Sequence, residues 1–237
     1  MLKRFLIGLF NKLGYEVHRK ESIVSQIGFN PAYLSQICQP KTVIDVGVGH
    51  GTFSLYKAFP NAHFVLIEPL KDYKRSIEKI AQKYDCEIHY KAVGDEECDL
   101  EINVDTNNLQ RSSFMDRTTL TTTGNRIEKR TVEVTTLDTI YSQSASVEGP
   151  ILLKIDTEGH EMSALKGARA LLQVVDIAIV EVSIARRFKN SYKFEDVVVF
   201  MDEIGFSVFS FLTMVHPKGE IQPRFADVVF KRRSKEI

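Results

Sequence analysis

Gly47, Gly49 and Gly51 fall at every second position between a β-branched run, Thr42-Val43-Ile44, and a stretch from Thr52 to Tyr56 that reads as a helix start. Glycines at such a bend let the backbone turn tightly and approach a ligand that any Cβ would hold off. Strand, glycine loop and helix in that order form the nucleotide pocket of an open α/β sheet. Acids stand at the ends of the runs that read as strands. Asp45 lies in the first, and Glu68 closes His63-Phe-Val-Leu-Ile-Glu68. Asp156 closes Pro150-Ile-Leu-Leu-Lys-Ile-Asp156, and Glu181 rises within Ala178-Ile-Val-Glu-Val-Ser183. Ligands of open α/β sheets bind at those carboxyl ends.

The spacing discriminates between ligands. A dinucleotide fingerprint needs G-x-G-x-x-G with a helix N-terminus facing a pyrophosphate. Here the order is G-x-G-x-G, position 52 is Thr, and no Lys-Ser or Lys-Thr pair of a P-loop follows. Asp45 would repel a pyrophosphate and suits a cationic ligand. Glu68 can accept both hydroxyls of a ribose. A glycine loop, a ribose-binding acid and an acidic floor together fit S-adenosylmethionine, which carries a ribose and a sulfonium but no phosphate.

Four blocks resemble the FkbM-type methyltransferases: Asp45-Val-Gly-Val-Gly-His-Gly51, Glu68-Pro69, Ala92-Val-Gly-Asp95 and above all Lys154-Ile-Asp-Thr-Glu-Gly-His-Glu161. The resemblance runs from about Thr42 to Lys231. The first block marks only the broad methyltransferase superfamily. The K-I-D-x-E-G-x-E block, followed by Leu165-Lys-Gly-Ala168, is the specific part. The resemblance implies S-adenosylmethionine as cofactor and a hydroxyl acceptor, on a sugar of a glycan, glycolipid or related metabolite. Methylation of a non-sugar small molecule, or a noncatalytic binding protein that kept the fold, are the other readings. It places Ala92 and Val93 beside the adenine ring. Asp95 then either accepts from the adenine amino group or caps its own turn. The expected cofactor contacts are Asp45, Gly47, Gly49, Gly51, Glu68, Pro69, Ala92, Val93, Asp95 and Asp156.

Methyl transfer is an in-line displacement, and the protein's part is to align the reacting atoms and exclude water. An alcohol acceptor must also lose a proton, so a base within hydrogen-bond reach is needed. Asp156 and His160 are the candidates, with Asp156 nearest the methyl and His160 as base or orienting partner. Glu158 and Glu181 would bind acceptor hydroxyls. The same four side chains could instead gather a divalent metal that lowers the hydroxyl pKa.

The elements that must position these residues read as an α/β domain over residues 41–237, preceded by a helical arm over residues 1–40. By resemblance it is a Rossmann-like seven-stranded methyltransferase sheet flanked by helices. That sheet is mostly parallel, with Phe206-Ser-Val-Phe-Ser-Phe-Leu212 and Ala226-Asp-Val-Val-Phe-Lys231 at its antiparallel end. The third strand reads as Glu87 to Val93. An insertion at about 99–135 carries two alternating runs, Leu100 to Val104 and Arg130 to Val134, that read as a small β unit. The polar stretch between them, Asp105 to Lys129, is long enough to serve as a lid or to be loose. It contains Ser112-Ser113-Phe114, which resembles the family's serine-containing loop at the substrate entrance. Arg186, Arg187 and Lys189 read as a basic loop that either meets an anionic acceptor or is solvated.

Composition narrows the partners. The 237 residues carry no formal net charge, so no global field argues for nucleic acid. Cys38, Cys86 and Cys98 are odd in number and form no C-x-x-C, which fits reduced thiols and a cytoplasmic setting. No run approaches the ~18 apolar residues of a membrane span. Residues 1–15 put Leu2, Phe5, Leu6, Leu9 and Leu13 on one helical face. That face could meet an anionic membrane surface, the protein's own core or a second subunit.

Overall fold

The computed structural model describes residues 27–118, 126–217 and 219–234. The amphipathic stretch at residues 1–15, and with it the membrane reading, lies outside the described residues, as do residues 119–125 of the insertion. Among the described residues no helix is long and apolar enough to cross a membrane.

The central strands form first as sequence features. β1 (Thr42–Val46) and β7 (Ile151–Ile155) are buried at every position, as expected of parallel strands covered on both faces. They pair in parallel and in step, which sets Asp45 directly opposite Lys154. β2 (His63–Ile67) flanks β1, and β3 (Cys86–His89) flanks β2. β8 (Val175–Ser183) lies on the far side of β7. β10 (Phe225–Arg232) runs antiparallel to both β8 and β9 (Phe206–Val215). The seven-stranded order is β3-β2-β1-β7-β8-β10-β9. Strand order reverses between β1 and β7, which opens a crevice at their carboxyl ends.

Helices cover both faces. α1 (Pro31–Ile37), α2 (Phe53–Ala58) and α3 (Lys74–Ala81) bury Leu34, Leu55, Tyr56, Ile77 and Ile80 against one face. α4 (Leu137–Gln143), α5 (Glu161–Lys166) and α6 (Phe194–Glu203) bury Leu137, Ile140, Ala164, Leu165, Val197 and Met201 against the other. Their starts follow local chemistry. The Asn30 side chain accepts from the N–H groups of Ala32 and Tyr33, with Pro31 in the first turn. Thr136 accepts from the Thr139 N–H. Each contact satisfies a donor that the first helical turn leaves open.

Two expectations change in detail. The run from Glu87 to Val93 is not one strand. β3 ends at His89, and Ala92–Val93 forms β4, which leaves the main sheet and pairs with β6 (Ile127–Thr135). The insertion strands are longer than their alternation suggested. β5 (Cys98–Asp105) and β6 pair antiparallel along their whole length and make a three-stranded sheet with β4. Tyr90 and Lys91 are the hinge between the two sheets, so the insertion is hung beside the mouth of the crevice.

Candidate active site

A cavity of about 350 Å³ opens at the carboxyl ends of β1, β2 and β7. Its walls include Gly47, Gly49, Gly51, Glu68, Pro69, Ala92, Val93, Asp156, Glu158, His160 and Glu181. Sequence reasoning had singled out all of these. The insertion adds Ile102, Leu109, Ser112 and Phe114. A pocket of this size with a few convergent polar groups is the ordinary form of a small-molecule site.

The glycine loop is shaped by what lies beneath it. Gly47 has φ +76°, and a Cβ there would stand 1.8 Å from the Asp156 carbonyl oxygen. The loop therefore crosses the end of β7 at a distance only glycine permits. Glu68 fixes the other side of the loop. One carboxylate oxygen accepts from the Gly49 N–H and the other from the Leu70 N–H, both at 2.9 Å. Each oxygen keeps a lone pair for a ligand hydroxyl. Burial raises the Glu68 carboxyl to about 7, although both N–H contacts oppose the shift.

Asp45 lies under the cavity rather than in its wall. It is wholly buried, accepts from the Tyr56 hydroxyl at 2.5 Å and pairs with the Lys154 ammonium at 3.1 Å. Burial alone would lower Lys154, but Asp45 and Asp156 outweigh it and hold the ammonium charged. The floor is thus an ion pair, not a lone acid. Asp95 also stands outside the cavity. Its carboxylate accepts from the Ser163 hydroxyl at 2.7 Å, and its own N–H donates back to that hydroxyl. This ties the turn after β4 to α5.

The end of the cavity beyond β7 is held by charges from three loops. Glu158 has φ +51°, an uncommon conformation for a residue with a Cβ. Its carboxylate pairs with Arg187 and, at 3.0 Å, with Arg117 of the insertion. Its carbonyl accepts from the Ser113 hydroxyl at 2.6 Å. Arg187 also binds Glu181 at 2.6 Å. Burial, with Asp156 and Glu158 close by, pushes the Glu181 carboxyl well above the usual range against the pull of Arg187. The Phe188 ring lies under Gly159, with the guanidinium carbons of Arg117 and Arg187 4.8 and 5.1 Å from its centre. Glu161 accepts from the N–H groups of Thr157 and Gly159 and from the Tyr192 hydroxyl, which shapes the loop below.

Arg187 corrects the solvated-loop reading. Arg186 and Lys189 are exposed, but Arg187 is 5% exposed. Arg117 was likewise hidden in a polar stretch. Its guanidinium reaches Glu158 because the backbone around it is tied to the segment after β8: the Thr118 N–H donates to the Arg187 carbonyl and the Lys189 N–H to the Asp116 carbonyl. Asp227 is a further acid that sequence reasoning missed. It sits opposite Glu181 in the β8–β10 register and is raised to about 6 by burial and Asp156. Its alternation within β10 marked it only as a polar position.

His160 faces the cavity beside Phe114, whose ring centre is 4.7 Å from its own. Burial lowers its pKa, against Asp95, so the imidazole is neutral at pH 7. Its Nε2 has no hydrogen-bond partner, and neither do the Thr157 hydroxyl and the Tyr73 hydroxyl, which also line the cavity. Three unpaired polar atoms around one space point to a ligand that pairs with them. Among the described residues no three metal-ligating side chains converge, and Glu158 and Glu181 are both turned to Arg187.

A mostly parallel seven-stranded sheet, an alternating glycine loop and an acid at the end of β2 define the class of S-adenosylmethionine-dependent methyltransferases. The sequence matches the methyltransferase FkbM domain over residues 33–208, well over half the chain, and the protein belongs to that family. The fold is shared with an FkbM methyltransferase from Methylobacillus flagellatus KT, at 16% identity and a TM-score of 0.51. That likeness covers 80% of this chain and 43% of the other, so this chain spans less than half of its length. A magnesium protoporphyrin IX methyltransferase from Synechocystis PCC 6803, solved with bound S-adenosylmethionine, aligns at 12% identity and a TM-score of 0.46. It covers 86% of this chain and 74% of that one. No curated protein matches the chain.

Proposed function

We propose that this chain transfers the methyl group of S-adenosylmethionine to a hydroxyl, on a sugar of a glycan, glycolipid or related metabolite. The observation that carries the reading is His160, a neutral imidazole whose Nε2 has no partner and whose side chain lines a cavity shared with Asp156, Glu158 and Glu181.

S-adenosylmethionine, when bound, supplies an electrophilic methyl on a positively charged sulfur. Gly47 and Gly49 give it room, Glu68 accepts from its ribose hydroxyls, and Ala92 and Val93 offer an apolar wall for its base. Asp156, about a third exposed at the end of β7, places a carboxylate near the sulfonium. The acceptor hydroxyl gives its proton to His160 Nε2 as its oxygen takes the methyl. Glu158 and Glu181 accept from neighbouring hydroxyls of the acceptor, held in place by Arg187. Phe114 supplies an aromatic face beside His160. Carboxylates next to an aromatic ring suit a polyhydroxylated ring with one apolar face, and this supports the sugar reading over a flat apolar acceptor.

The test is to incubate the chain with methyl-labelled S-adenosylmethionine and a panel of glycans and glycolipids, then to locate the label by mass. Label on a sugar oxygen supports the proposal. Transfer only to non-sugar hydroxyls, or none with any acceptor while the cofactor binds, would remove it.

A further inference from the structure

Tyr73 reads in the sequence as an inward-facing core residue of the segment that follows Glu68. The structure buries it as expected and also sets it against the cavity. Its ring is 2% exposed and forms part of the cavity wall, and its hydroxyl has no hydrogen-bond partner. The three unpaired polar atoms around the cavity are all buried, and Tyr73 is the most buried of the three residues that carry them. A buried hydroxyl without a partner forfeits the hydrogen bonds it made with water and gains nothing for them. Phenylalanine would fill the same space without that loss.

The phenol is also held rigidly. The short 3-10 turn Lys71–Tyr73 follows Pro69 and Leu70 and returns the side chain to the glycine loop. Its ring carbons lie 3.8 Å from where a Cβ on Gly49 would stand. The His50 ring meets it edge-on, with centres 4.9 Å apart, and His50 Nδ1 is 3.3 Å from the Ser76 hydroxyl. Gly49 is in turn bound to Glu68. Tyr73, Glu68 and the glycine loop therefore form one preorganised unit on the wall expected to hold the methyl donor. Their chemistry is complementary. Ionised Glu68 can only accept hydrogen bonds, and Tyr73 provides a donor. Burial, with Glu68, Asp72 and Glu158 nearby, raises the phenol and keeps it protonated.

We propose that the Tyr73 hydroxyl is a recognition contact for the methyl donor, hydrogen-bonding to the part that S-adenosylmethionine and S-adenosylhomocysteine share. The inference rests on the reading of the cavity as the site of that donor. It explains why a tyrosine stands where the packing asks only for a phenyl ring.

The experiment is calorimetric titration of the full chain and of Tyr73→Phe with both compounds, with thermal unfolding of each protein in the absence of ligand. Tyr73→Phe is expected to weaken both compounds about three- to tenfold, the worth of one neutral hydrogen bond. Its ligand-free melting temperature is expected to equal or exceed that of the wild type, because the ring contacts remain and the unpaired hydroxyl is gone. Affinities within twofold of wild type for both compounds would overturn the proposal while leaving the cofactor reading intact. So would a fall in ligand-free melting temperature alongside the loss of binding, which would mean a structural role. Absence of heat with the wild-type chain would overturn the cofactor reading and this inference together.

Discussion

The two ends of the cavity are built by different means. At the cofactor end, neighbours in sequence do the work: Gly47, Gly49 and Glu68 lie at or just beyond the ends of β1 and β2, and the contacts are mostly backbone. At the other end, Arg117, Glu158 and Arg187 come from three separate loops and meet through side-chain charge. The first end is fixed by the sheet itself, and at Gly47 it leaves no space for a Cβ. The second is an electrostatic assembly in which each member stays buried because the others neutralise it. Removing one partner there leaves the others charged and unpaired.

The largest effect that can break this contrast is Gly47→Ala. Its methyl would collide with the Asp156 carbonyl, and its φ is one that alanine resists. We expect a loss of ~3 kcal/mol or more in stability and no measurable S-adenosylhomocysteine binding, followed by denaturant melts and calorimetry. A variant that binds as wild type would show that the loop is not fixed by that approach.

Arg187→Met comes next. It strands Glu158 and Glu181 and should cost ~3–5 kcal/mol. At a temperature where the variant is folded, it should abolish methyl transfer while S-adenosylhomocysteine still binds. Equal loss of both functions would mean that the two ends are not separable. A contrast with Arg186→Ala sharpens the point. That side chain is exposed and its removal should stay within ~0.5 kcal/mol of wild type.

The cofactor end should respond to pH through Glu68. Its carboxyl is raised from 4.5 to about 7 in the folded chain. Between those values the folded state holds the extra proton, so this group's contribution to stability falls as pH rises through that window and levels off above about 7. Ligand hydroxyls favour the ionised form, so S-adenosylhomocysteine should bind about tenfold more tightly at pH 8 than at pH 6. Glu68→Gln should bind more weakly and lose this pH dependence. A pH slope unchanged in Glu68→Gln would assign it to another group.

The contrast also separates what the sequence could reveal from what it could not. The glycine loop and the strand-end acids follow from local rules: a glycine spacing, a β-branched run and a carboxylate that closes it. The helix caps at Asn30 and Thr136 are local in the same way. The ion network is not. Nothing near Arg187 in the chain separates it from its exposed neighbour Arg186, and Arg117 lies in a stretch without apolar periodicity. Their burial depends on loops brought together only by the folded sheet. Asp45 and Asp95 show the converse case. Both belong to motif blocks, yet the first is neutralised by Lys154, which faces it from the neighbouring strand, and the second is tied to Ser163. The break between β3 and β4 was also illegible, because a continuous polar and apolar alternation cannot report which of two sheets a strand joins.

The central claim is that the crevice between β1, β2 and β7 holds a methyl donor against the glycine loop and Glu68. The most direct test is calorimetric titration of the wild-type chain at pH 8 with S-adenosylhomocysteine and, separately, with NAD. One site for S-adenosylhomocysteine, no heat with NAD and loss of the site in Gly47→Ala are the expected results. Absence of heat with S-adenosylhomocysteine, or equal binding of NAD, would contradict the account.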